Sequence, residues 1–193
     1  MAKERPTSLN DIKLRCDCTQ PMDKGIVDLT KAVNLFGIYT LSSCEGHIKR
    51  RFANKPQVTF SIKPEDTSAM MRASEIIFGR YKDEFLNLIE SFNSRNFIKW
   101  KFNKSVYFDD LMGDSWLNCI SLEPKIEPAN TKMLLELQES AQKLAVFIFG
   151  HVISRGDFEE RESSRIERYN TLLGYELQSR NRPKKTGIEK EQS

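Results

Sequence analysis

The sequence predicts an α/β or α+β domain in which a mixed sheet is packed by two long helices, and three observations predict it. Two segments, from about Glu65 to Phe92 and from Asn130 to about Ile153, place apolar residues at three- and four-residue intervals with charged residues between them. Short runs elsewhere alternate apolar and polar residues with the period of two that a half-buried strand requires, as at Val58, Phe60 and Ile62. The two patterns are interspersed along the chain, with a hairpin-like stretch from Asn96 to Glu123, which suits a sheet covered by helices.

Residues 1–10 are polar and read as a disordered N-terminus, followed by an α/β domain over 11–155. Ile12 to Cys18 alternates like a strand until Pro21. Asp23 is placed to cap a helix carrying Ile26, Val27, Leu29, Thr30 and Val33, with Gly37 as its stop. The β-branched and aromatic run Ile38-Tyr39-Thr40-Leu41 reads as a buried strand that delivers the chain into a polar loop. A strand resumes over Gln57–Ile62, the first long helix follows, and Ile98 to Phe102 and Trp116 to Glu123 form two more strands, the last stopped by Pro124. Beyond Arg155 the chain is charged. Ile166, Tyr169, Leu173 and Leu177 make one stripe of a satellite helix over 156–181, and 182–193 reads as a disordered tail.

Composition narrows the function classes. The chain has 193 residues, 39% hydrophobic and 30% charged, which suits one globular core. A net charge of +3 is too small to argue for nucleic acid by itself. No run approaches the roughly 20 apolar residues of a membrane span, and the charged start Met1–Pro6 lacks a signal peptide's apolar stretch, so a cytoplasmic protein with no membrane partner is expected. Cys16, Cys18, Cys44 and Cys119 should then be reduced. Nothing in the sequence marks an oligomeric state.

The loop Ser42-Ser43-Cys44-Glu45-Gly46-His47 concentrates chemistry-bearing groups. Gly46 can take a positive φ and let backbone N–H groups converge on an anion. Cys44 and His47, three apart, suit a shared metal or a thiolate–imidazolium pair, and Glu45 suits proton transfer or orientation of His47. A tight turn with a buried cysteine and a solvated histidine explains the same residues about equally well. Lys49, Arg50 and Arg51 follow as a basic run suited to phosphate or to a solvated loop.

Gly25-Ile26-Val27-Asp28-Leu29 through Asn34, then Gly37 through His47, resembles the wybutosine-synthesis tRNA methyltransferase family, in which a helix, a short strand and a Ser-Ser-Cys-Ser-Gly-Arg loop occur in that order. Leu122-Glu123-Pro124-Lys125-Ile126 and the helix after it resemble that family's Phe-Glu-Pro segment. Glu45 stands in place of the family's Ser and His47 in place of its Arg, a Ser-Cys-Glu-Gly-His form that looks like a bacterial branch with the same fold. The resemblance implies a wybutosine-methyltransferase-like fold, S-adenosylmethionine as cofactor, and a nucleotide-like or RNA ligand. It implies that Ser42, Ser43, Gly46, Arg50, Arg51 and Glu123 bind the ligand while Cys44, Glu45 and His47 carry chemistry.

Other motifs weigh less. Cys16-x-Cys18 with Cys44 and His47 has the ligand types of a four-coordinate zinc site, but a lone Cys-x-Cys is no zinc signature, so neither zinc nor any other metal is assigned. Cys119 and Trp100 lie mid-strand and read as core, and His151 reads as a helix-end or surface histidine. No Gly-rich nucleotide fingerprint is present. Two function classes stay open: an S-adenosylmethionine-dependent methyltransferase acting on RNA, and a non-catalytic ligand-binding or regulatory module using the same site. Deleting residues beyond Arg180 should leave the melting temperature unchanged. Ile188 is the one large apolar side chain there, too little to offset an ordering cost of about 1–2 kcal/mol per residue; a drop of several degrees would show the tail to be docked.

Overall fold

The computed structural model describes residues 6–12, 23–38, 40, 42–49, 52–61, 81–109 and 115–163. Within these, a 3-10 turn at Leu9–Asp11 precedes helix α1 (Val27–Leu35), and four short strands follow: β1 (Ser42–Cys44), β2 (His47–Lys49), β3 (Phe52–Asn54) and β4 (Gln57–Ser61). Helix α2 (Lys82–Arg95), strands β5 (Trp100–Asp109) and β6 (Ser115–Pro124) and helix α3 (Thr131–Arg155) complete the domain. A further helix begins at 158. The fold is α+β: a four-stranded sheet in the order β1-β4-β6-β5, a separate β2–β3 ribbon, and packed helices. Among the described residues every strand pair is antiparallel, which corrects the expected mixed sheet. The strand read over Ile12–Cys18 (beyond Ile12), the first part of the helix read from Glu65, the 156–181 helix beyond 163 and the tail at 182–193 lie outside the described residues.

Three local expectations change. Within the segment expected to be disordered, residues 1–5 lie outside the described residues, while Ser8 and Asp11 close a capping box around the 3-10 turn and Leu9 packs against the core. Asp23 does not cap α1, whose N-cap position is Ile26 without a side-chain bond; Asp23 gives only its carbonyl, to the Ile26 N–H at 3.2 Å. Of the strand expected over Ile38–Leu41, Tyr39 and Leu41 lie outside the described residues, Ile38 and Thr40 are not in a strand, and a strand is found at Ser42–Cys44, inside the expected loop. The cause lies in how α1 ends. Ile38 N–H bonds Val33 carbonyl and Gly37 N–H bonds Asn34 carbonyl, with Gly37 at φ 97°, the paired bonds of a left-handed helix stop. Asn34 also donates to Thr40 Oγ1 at 3.0 Å, and Ile38 is fully buried. Ile38 and Thr40 are thus committed to the helix end.

One face of the sheet is apolar. Val58, Phe60, Leu122 and Trp100 are buried on it, with Phe102 and Ile120 packed alongside. Each large side chain so covered stabilises the fold by roughly 1.5–3 kcal/mol. Helix α3 supplies Leu137, Ala141, Leu144, Ala145, Ile148 and Val152 as one buried stripe. Its Ser140 accepts the Trp100 Nε1–H at 3.0 Å, so the one polar atom of a fully buried indole is satisfied. Asn93 of α2 holds the other end of that residue, accepting from Trp100 N–H at 2.7 Å and donating to its carbonyl at 2.8 Å. Trp100 is thus core, as its place in the strand pattern implies.

The packing of α1, α2 and the end of α3 turns on Arg161, whose side chain is fully buried. Its guanidinium lies between the rings of Phe36 and Tyr81, 4.5 and 4.3 Å from their centroids. It donates to both Glu84 oxygens at 2.9 Å, to Asp157 at 2.7 and 2.8 Å, and to the Phe36 carbonyl at 3.2 Å. His151, expected as a helix-end or surface histidine, joins this network: Nε2 lies 2.7 Å from Glu84 Oε1, and the ring stacks on Phe36.

Burial alone would raise the Glu84 pKa, but hydrogen bonds from His151 and Arg161 and the charges of Arg161 and Arg155 outweigh it and hold the pKa below its ordinary 4.5. Asp157 is likewise held below 3.8, its burial outweighed by Arg161. The folded state therefore binds these protons less readily than the unfolded chain. The stability they contribute is complete above about pH 4.5 and lost as pH falls through the two depressed values. Arg161→Met should destabilise the protein by about 3–5 kcal/mol, because it strands two carboxylates in a half-buried setting. Urea denaturation from pH 7 to pH 3 should also show a shallower loss of stability in the variant than in the wild type.

Candidate functional site

Strand β1 ends at Cys44, Glu45 and Gly46 turn the chain, and β2 begins at His47. The turn is steep because Gly46 sits at φ 86°, and a Cβ there would come within 2.6 Å of the Asn54 carbonyl and 2.8 Å of Leu134. Only glycine meets both conditions. The segment before α1 lies against this turn. Glu45 Oε2 accepts the Gly25 N–H at 2.9 Å, and Asp23 Oδ2 accepts the Glu45 N–H at 3.3 Å. Gln138 of α3 donates to the Glu45 carbonyl at 3.1 Å, fixing the turn to the core helix.

The result is a cluster of three donors: an Asp23 carboxylate oxygen, Cys44 Sγ and a His47 ring nitrogen all lie within 4.8 Å of one another. His47 Nε2 is 3.7 Å from Asp23 Oδ2, beyond hydrogen-bond length, and the two side chains are 42% and 37% exposed, so the cluster opens to solvent. The Cys44 thiol pKa is pushed up by burial and by the charges of Asp23 and Glu45, against the Gly46 N–H that bonds the sulfur at 3.3 Å. Asp23 is the residue that sequence reasoning assigned elsewhere. Its only sequence signal was its place before a helix, which suggested a cap.

The other expected residues are distributed differently. Ser42 pairs with Thr59 through its backbone. Ser43 alternates to the face opposite Cys44, and its buried Oγ has no hydrogen-bond partner among the described residues. Arg50 and Arg51, like Cys16 and Cys18, lie outside the described residues. Glu123 sits in a second cluster. Cys44 pairs with Gln57, and the next residue, Val58, pairs with Leu122, so Glu123 lies two strands from Cys44, roughly 10 Å at the usual strand spacing.

Glu123 is 4% exposed and compensated, with Lys55 Nζ at 3.1 Å, Lys101 Nζ at 3.6 Å and the Asn103 amide donating at 3.0 Å. Lys55 also reaches Glu127 and the Pro124 carbonyl. Burial works against its charge, but the bonds to Glu127 and Glu123 prevail and its pKa is raised. This second cluster ties the β3–β4 turn to β6.

No family model matches the chain, and neither a curated protein nor a solved structure is significantly similar to it. No helix among the described residues is long and apolar enough to cross a membrane. Gly46→Ala should destabilise the fold by about 1–3 kcal/mol through the positive φ and the contact with Asn54. Chemical denaturation measures this, and a neutral effect would show that the turn can relax.

Proposed function

We propose that the chain is a wybutosine-methyltransferase-like protein that binds a nucleotide-like ligand at the turn between β1 and β2. In this reading S-adenosylmethionine is the cofactor, RNA the substrate class and the cytoplasm the place of action. The observation that carries the reading is the convergence of Asp23, Cys44 and His47 at an open turn held by Glu45 and Gln138. Three groups able to bind, donate and accept meet where solvent reaches them, and the backbone around them is fixed, as a preorganised site requires. His47 offers an imidazole nitrogen that can donate to an anionic ligand or take part in a proton transfer. Asp23 lies beside it as a second polar group, and Arg50 and Arg51, next in sequence, are the residues to steer phosphate.

A binding module without turnover is the second reading. What favours it is that Glu45 is occupied in structure, with its carboxylate on Gly25, its N–H on Asp23 and its carbonyl on Gln138. A carboxylate so engaged is a positioning group and not a free base.

Thermal-shift screening against nucleotides and S-adenosylmethionine analogues tests the shared claim, and radiolabel transfer from S-adenosylmethionine to RNA separates the two readings. His47→Ala should weaken ligand binding at least tenfold with an unchanged melting temperature, because its half-exposed ring lies outside the core. His47→Arg should keep the binding of an anion and lose any proton transfer. Absence of a shift with every nucleotide and S-adenosylmethionine analogue would remove the reading.

A further inference from the structure

We infer that Asp23, Cys44 and His47 form a zinc(II) site with one coordination position open to solvent or ligand. The donors are one carboxylate, one thiol and one imidazole, the mixed oxygen, sulfur and nitrogen set that suits zinc and is too soft for magnesium or calcium. Their spacing fits a shared cation better than direct bonds between them. At metal–ligand lengths of roughly 2.0–2.3 Å, the edges of a tetrahedron are about 3.5 Å. The His47 Nε2 to Asp23 Oδ2 separation is 3.7 Å, too long for a hydrogen bond and close to such an edge. No donor in the set is more than 4.8 Å from another, so small side-chain rotations bring all three onto one ion.

Charge supports the same assignment. One dication with a carboxylate, a thiolate and a neutral imidazole makes a neutral centre, which a half-buried turn accommodates. Binding releases the thiol proton to solvent.

The surrounding bonds are those that orient metal ligands from outside. Gly46 N–H donates to the Cys44 sulfur at 3.3 Å, and Glu45 N–H donates to Asp23 at 3.3 Å. Glu45, clipped to Gly25 N–H, keeps the Asp23 segment against the turn and is a positioning residue. Three protein ligands and an exposed fourth position are the arrangement of a reactive or ligand-binding zinc, and a closed structural site would use four. The inference deepens the reading of this turn as the functional centre, yet it does not depend on a nucleotide being the ligand.

The test uses the full chain, stripped with a chelator and titrated with zinc alone and with cobalt(II) alone. Native mass spectrometry should show one zinc per chain. Cobalt should give a thiolate-to-metal charge-transfer band and the intense d–d bands of four-coordination. Cys44→Ser should abolish the charge-transfer band. His47→Ala and Asp23→Asn, at more exposed positions that spare the fold, should each lower zinc affinity more than tenfold, and Glu45→Ala, which removes the acceptor of the Gly25 N–H, should lower it about 10–100-fold by freeing the Asp23 segment from the turn. Circular dichroism checks that each variant is folded.

Absence of zinc and cobalt binding in the folded wild type would overturn the inference. So would a charge-transfer band that persists in Cys44→Ser, since Cys16, Cys18 or Cys119 would then hold the metal. Zinc binding without any nucleotide response keeps this inference and removes the nucleotide reading, and nucleotide binding to metal-free protein with no metal uptake does the reverse.

Discussion

A buried guanidinium holds the helices of this protein in register. Arg161 joins the carbonyl at the end of α1, a carboxylate in the first turn of α2 and Asp157 just beyond α3, and it does so between two aromatic rings. Taking such a charge from water costs several kcal/mol, recovered only because both carboxylates and a carbonyl meet the fork of donors. Gly37 at the end of α1 is part of the same construction. A Cβ there would come within 3.2 Å of both the Arg161 carbonyl and the Tyr81 ring, so the close approach of the two chain segments depends on its absence.

The candidate site inherits its geometry from this frame. Asp23 stands four residues before the start of α1, Gln138 and Leu134 stand on α3, and the turn at Glu45–Gly46 is fitted between them. Since α1 and α3 pack on each other as core elements, a change in their relation moves Asp23 relative to Cys44 and His47. Stability and site geometry are thus coupled through two helices, while the exposed faces of Asp23 and His47 remain accessible.

The two charged clusters near the sheet differ in kind. Around Glu123 every charge has a close opposite partner and the carboxylate is nearly inaccessible, a pattern that stabilises β6 against β4 and β5. Around Cys44 the donors face one another at distances that no direct bond explains, and two of them reach solvent. Partnered charges secure a structure, and converging donors without mutual bonds leave capacity for something else to bind.

Much of the fold was legible in the sequence because periodicity follows directly from which side of an element faces water. The strands at Gln57, Trp100 and Trp116 and the helix from Asn130 could all be read that way, and the helix stop at Gly37 from its residue type. The sequence also singles out the candidate turn, because hydroxyl, thiol, carboxylate and imidazole crowd into six residues. Tertiary structure decided the rest. It tied Ile38 and Thr40 to the end of α1 and put a strand at Ser42–Cys44. It brought in Asp23, 21 positions before Cys44, through a bond from the Glu45 N–H to the Asp23 carboxylate that no local pattern announces. It also turned Arg161, one charge among many in a charged segment, into a fully buried side chain. Local pattern reports a residue's own preference for water or core; which distant groups will satisfy a buried charge or complete a donor set depends on contacts that exist only once the helices have packed.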